Sequence, residues 1–143
     1  VGLSAFQRGL LRIGMALLPD VAQANGLKPE WVSRDPAVVQ AYVADPLVHD
    51  RITPRLVRFI LDGGEQVRAL APRWATPTLL LWAGADRCVA PAGSAAFAAA
   101  APAGMVAARC FEPLAHEIFN EPEKAEVTAE LLRWLGQVPL ARH

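Results

Sequence analysis

Two residues in this chain have the types and settings that proton transfer requires. His116 opens the stretch His116-Glu117-Ile118-Phe119-Asn120-Glu121, and Asp86 sits within Gly84-Ala85-Asp86-Arg87-Cys88-Val89. An imidazole titrates closest to neutrality of all side chains. A carboxylate bound to one of its nitrogens fixes the tautomer and leaves the other nitrogen free to take a proton. A zinc reading of His116 fails on spacing. A zinc helix built on His-Glu needs a second histidine four residues on, where this chain has Asn120, and Glu121 falls on a different face. No metal or organic cofactor is expected.

Other reactive side chains carry weaker signals. Cys88 lies close enough to Asp86 in sequence to suggest a Cys-His pair, but both Cys88 and Cys110 stand where small buried residues are expected. Cys110 reads as core. His49 is a surface residue or a contact to substrate, and only its position favours the second. Glu117, Asn120 and Glu121 are expected to organise their loop and the start of the following helix rather than touch substrate.

The elements that must hold these residues fall into two parts, divided near residues 71–76. Residues 1–75 read as helical. Phe6, Leu10, Leu11, Ile13, Leu17 and Leu18 recur at helical spacing over 5–18. Asp35-Pro36 and Thr53-Pro54 each place a capping side chain before a proline suited to the first helical turn, opening helices to about Ala44 and Leu70. Between the helices, Gly26-Leu27-Lys28-Pro29 and Asp45-Pro46-Leu47 read as loops. Residues 76–143 alternate strand and helix: an apolar strand over 76–84, an alanine-rich helix over 91–102, a strand over 105–113 and a helix over 122–136. That order implies a parallel pair with a right-handed crossover. Loops at the carboxyl ends of neighbouring parallel strands converge, so Asp86 and His116 are expected to meet although they are far apart in sequence.

At this point the sequence resembles a known family. Thr76, Pro77, Gly84, Asp86 and Val89, then His116, Glu117, Asn120, Glu121, Trp134 and Leu135, are similar to the C-terminal end of the monoacylglycerol lipase and lysophospholipase group of serine α/β-hydrolases. Residues 33–53 resemble the cap inserted in that group. The resemblance implies an α/β fold: a helical cap over 1–75, then the last two parallel strands and helices over 76–143, with the N-terminal half of the sheet absent. It implies Asp86 and His116 as acid and base of a Ser-Asp-His triad acting on a lipid-like carboxylic ester, without cofactor. A cytoplasmic protein touching membrane peripherally through its cap would fit.

The group's nucleophile sits in a Gly-x-Ser-x-Gly elbow after a strand. Here Gly2-Leu3-Ser4-Ala5-Phe6 lacks the closing glycine, and Ser33 and Ser94 lack the pattern. A piece of a longer enzyme, with its serine upstream of Val1, is the simplest expectation. Such a piece is expected to fold poorly alone and to be inactive alone. The rival expectation is a non-catalytic module that binds a protein or lipid partner through a sheet edge and an apolar face. Net charge is zero, with 14 basic and 14 acidic residues and no polybasic block, which disfavours nucleic acid. The chain is 53% hydrophobic, with mean hydropathy +0.24, yet holds no apolar run long enough for a membrane span. Two cysteines without metal or disulfide spacing suit a reducing compartment.

Overall fold

A computed structural model describes residues 4–137. Three of its helices begin where a side chain accepts the first free backbone N–H groups. The Ser4 hydroxyl accepts from the Gln7 amide and the Gln7 side chain accepts from the Ser4 amide, opening α1 (Ala5–Leu17). Asp35 caps α2 (Pro36–Ala44) by accepting from the Ala37 amide. Thr53 caps α3 (Pro54–Leu70) by accepting from Leu56. Both of the latter helices carry the expected proline in their first turn.

The connections hold more structure than their turn residues suggest. Gln23–Ala24 (β1) pairs antiparallel with Arg51–Ile52 (β2), with Gln23 opposite Ile52 and Ala24 opposite Arg51. Short 3-10 turns occupy Pro29–Trp31, Ala71–Arg73 and Ile118–Asn120. A two-residue pair has no period that a sequence pattern can display, which is why these segments read as plain loops.

The second part is a crossover unit: β3 (Thr78–Ala83), α4 (Pro91–Ala100), β4 (Val106–Phe111) and α5 (Lys124–Gln137). β3 and β4 are parallel and in register from Thr78–Val106 to Ala83–Phe111. Their lower ends are half-buried or exposed, and only Ala83 and Phe111 at the upper end are fully buried. The strands are covered at that end, where Leu114, Ile118 and Val127 close over them to form the core. The best-packed region of the sheet thus lies directly beneath the two loops that carry Asp86 and His116.

Elsewhere apolar faces stay open. Phe6, Leu10, Ile13 and Leu17 form an exposed stripe on α1, and Leu56, Phe59, Ile60, Val67 and Leu70 form another on α3. No helix among them is long and apolar enough to cross a membrane.

Candidate active site

The two loops are joined by an extension of the strand ladder. Beyond the last paired residues, the Gly84 amide donates to the Phe111 carbonyl at 2.9 Å and the Ala85 amide to the Leu114 carbonyl at 3.1 Å. The chains approach so closely that a Cβ on Gly84 would lie 2.6 Å from Glu112 Cα and 2.8 Å from its carbonyl oxygen. Glycine is required there by contact with backbone, which cannot swing aside as a side chain could.

Asp86 follows this crossing. Its Oδ1 accepts from the amides of Cys88 at 2.7 Å and Val89 at 2.9 Å. The loop therefore fixes the carboxylate and aims Oδ2 outward, where it lies 2.8 Å from His116 Nδ1. Asp86 is largely buried, with 11% of its side chain exposed, whereas His116 keeps 38% exposed. A sheltered acid holding a reachable imidazole can orient the ring and balance the charge it gains, with Nε2 left as the nitrogen that exchanges protons.

The His116 loop is anchored from below by Glu121, whose contacts no sequence spacing displays. Its carboxylate is almost fully buried. It accepts from the Ser33 hydroxyl at 2.7 Å, the Arg34 amide at 2.6 Å, the Arg34 guanidinium at 2.7 Å and the Ala115 amide at 2.8 Å. Burial alone would push this carboxyl up, but the hydrogen bonds from Arg34, Ala115 and Ser33 together hold it down at about 2. Arg34 also pairs with Glu123. Ser33 thus has a structural task, since its hydroxyl also accepts from the Asp35 amide. The Glu117 amide donates to the Val32 carbonyl at 2.8 Å, and Asn120 Nδ2 donates to Glu117 at 2.8 Å. Glu117, Asn120 and Glu121 organise the loop, as expected from their types. The surprise is that they do so against residues 32–34.

A second tie joins the Asp86 loop to the same segment. The Arg87 guanidinium stacks over the Trp31 ring at 4.7 Å. Between these ties lies a cavity of about 280 Å³ lined by Leu27, Val32, Tyr42, Val43 and Val48, with His49, Cys88, His116 and Glu117 among its polar groups. His49 and His116 therefore face one cavity from opposite parts of the chain. Cys88 and Cys110 are both free and half-buried, so the expectation of Cys110 as full core is corrected. Cys110 belongs to β4, which has only one neighbouring strand among the described residues. Burial pushes the Cys88 thiol up, and the nearby Asp86 and Glu117 carboxylates push it further. That environment disfavours the thiolate a Cys-His nucleophile needs.

Asp86, Cys88 and His116 also bring one oxygen, one sulfur and one nitrogen donor within 4.8 Å of one another. Ligand spacing along the sequence missed this group because its members come from two loops. Any metal there would have to displace the Asp86–His116 hydrogen bond.

The profile of the family described as "Serine aminopeptidase, S33" matches residues 1–123. The chain belongs to that family. Within the S33 family it is an α/β-hydrolase of the monoacylglycerol lipase group. It is 33% identical over 120 residues to a monoacylglycerol lipase from Mycolicibacterium smegmatis, covering 83% of this chain and 42% of that one. The crystal structure of the Paleococcus ferrophilus monoacylglycerol lipase superposes with a TM-score of 0.85 at 33% identity, covering 93% of this chain and 52% of that one. A soluble variant of the Saccharomyces cerevisiae monoglyceride lipase, solved with a substrate analogue, shares the fold at TM-score 0.77 and 17% identity, with 93% and 49% covered. The chain spans about half the length of these two structures. Its small parallel sheet and flanking helices correspond to a C-terminal portion of the α/β-hydrolase fold.

Proposed function

We propose that this chain contributes the base, His116, and its orienting acid, Asp86, to a serine hydrolase of carboxylic esters. Its substrates are monoacylglycerols, lysophospholipids or similar medium-to-long-chain esters, and its nucleophilic serine lies in a segment upstream of Val1. The observation that carries this reading is the 2.8 Å approach of Asp86 Oδ2 to His116 Nδ1 at the carboxyl ends of adjacent parallel strands. Monoacylglycerol lipases among its relatives support the substrate class.

In this mechanism the serine hydroxyl attacks the ester carbonyl while His116 Nε2 takes its proton. Asp86 holds the Nδ1 proton and stabilises the imidazolium. His116 then delivers the proton to the departing alcohol, and the same base activates water to release the acid. Residues 1–75 act as a cap over residues 76–143. The cap's exposed apolar stripes meet lipid at the membrane surface, and the cavity beside His116 receives part of the substrate.

The test is hydrolysis of a monoacylglycerol and lysophospholipid panel by the complete protein carrying this chain, alongside peptide and thioester substrates and fluorophosphonate labelling. Turnover of the esters, with labelling of an upstream serine and loss of turnover in His116→Ala, supports the reading. Hydrolysis of peptides alone would overturn the substrate class. Absence of both label and turnover would leave the chain as a binding module.

A further inference from the structure

We propose that Asp86, Cys88 and His116 form a binding site for a borderline-soft divalent cation such as Zn2+, and that the cation switches off His116 as a base. Site formation rests on the geometry alone, whereas its effect on turnover rests on the function proposed above. Imidazole, thiolate and carboxylate are the donors that zinc prefers, at about 2.0 to 2.3 Å, which sets tetrahedral neighbours about 3.3 to 3.8 Å apart. The three donor atoms already lie within 4.8 Å of one another. Asp86 Oδ2 and His116 Nδ1, at 2.8 Å, must part slightly to admit the ion, while Cys88 Sγ closes in.

The backbone prepares two of the three ligands. Asp86 Oδ1 is held by the amides of Cys88 and Val89, so the acid and the thiol sit on one tight turn and neither needs a loop to be ordered first. Cys88, His116 and Glu117 all line the cavity, which gives an ion its path. The Asp86 and Glu117 carboxylates beside the site attract a cation.

The proton inventory gives the functional consequence. A neutral imidazole that donates its Nδ1 proton to Asp86 holds a lone pair on Nε2. A metal on Nδ1 displaces that proton to Nε2, and the Cys88 thiol releases its proton to solvent. The ligands then carry two negative charges against the ion's two positive ones. Nε2 now bears a hydrogen and cannot accept one from a nucleophile. No electron changes hands.

Co2+ reports such a site directly, because a thiolate ligand gives it a near-ultraviolet charge-transfer band and tetrahedral coordination gives it intense visible bands. The complete protein is titrated with Co2+ alone, then with Zn2+ to displace it, and its ester turnover is measured with Zn2+ and after chelation. The expected result is one Co2+ with a thiolate band that disappears in Cys88→Ser, persists in Cys110→Ser, and needs at least about tenfold more metal in His116→Ala. Zn2+ inhibition should reverse with chelator and weaken at least about tenfold in Cys88→Ser, each variant being compared with its own metal-free rate. No thiolate band, or a band that survives Cys88→Ser, overturns the site. A band without inhibition of an active enzyme overturns the switch. A protein with no esterase activity at all fails the functional proposal, while the cobalt spectrum still decides the site.

Discussion

The Glu121 carboxylate accepts the Ser33 hydroxyl at 2.7 Å across 88 positions of sequence. With Arg34 on its other side, this contact binds residues 32–34 to the loop that carries His116. Replacing Glu121 with alanine leaves the Arg34 and Ala115 amides without their acceptor and the Ser33 hydroxyl with only the Asn120 carbonyl at 3.3 Å. Glu121→Ala should cost about 3 kcal/mol of stability, read as a lower urea midpoint in the complete protein. Glu121→Gln keeps the shape but loses the charge that Arg34 addresses, and should fall between wild type and alanine.

The same carboxylate sets an acid limit. Its folded-state pKa, about 2, lies below the ordinary 4.5, so its contribution is fully present above about 4.5 and is lost as pH falls through about 2. Urea midpoints measured from pH 7 down to pH 2 should decline more steeply in wild type than in Glu121→Gln below pH 4.5. Parallel curves for the two proteins would count against the assignment.

Gly84→Ala should be more disruptive than an ordinary glycine substitution. The new methyl would meet Glu112 backbone at 2.6 to 2.8 Å and must force the two loops apart. Overpacking of this kind costs about 1 to 3 kcal/mol. Because the displaced loops hold Asp86 and His116, ester turnover should fall by more than the loss of folded protein accounts for. Comparing turnover per folded molecule in the two proteins checks this.

Asp86→Asn retains an oxygen for the Cys88 and Val89 amides but presents an amide group toward His116 Nδ1. The ring is then driven to the tautomer with its proton on Nε2. Turnover should drop about 1,000- to 10,000-fold with KM little changed, and the loss should be smaller at alkaline pH. A raised KM with kcat unchanged would mean that Asp86 serves binding instead of proton transfer.

The legible parts of this molecule were those written locally. Asp35-Pro36 and Thr53-Pro54 announced α2 and α3 because capping chemistry involves neighbours in sequence. The apolar run through Leu79, Leu80 and Leu81 and the order of elements gave the parallel pair, and the pair's topology was enough to place Asp86 opposite His116. The Ser33–Glu121 and Trp31–Arg87 contacts were not legible, since each joins surfaces through tertiary packing that leaves no period or motif. Ser33 was weighed as a nucleophile when its task is to donate to a buried acid. The Cys-His reading of Cys88 is disfavoured by the small buried residue expected there, and the approach of its sulfur to Asp86 and His116 depends on a glycine crossing that spacing along the chain does not display.

The parallel register has a consequence for how this site tolerates change. Ala83 stands opposite Phe111, and the chain leaves both at the same height before reaching Asp86 and His116. One residue of slip along a strand is about 3.3 Å and turns every side chain to the other face of the sheet. That displacement exceeds the 2.8 Å separating Asp86 from His116, so the strand ladder acts as the ruler on which the distance between acid and base is marked. Substitutions deep in β3 or β4 that relax this alignment would then register as a change in the Asp86–His116 contact, several residues away along the strands.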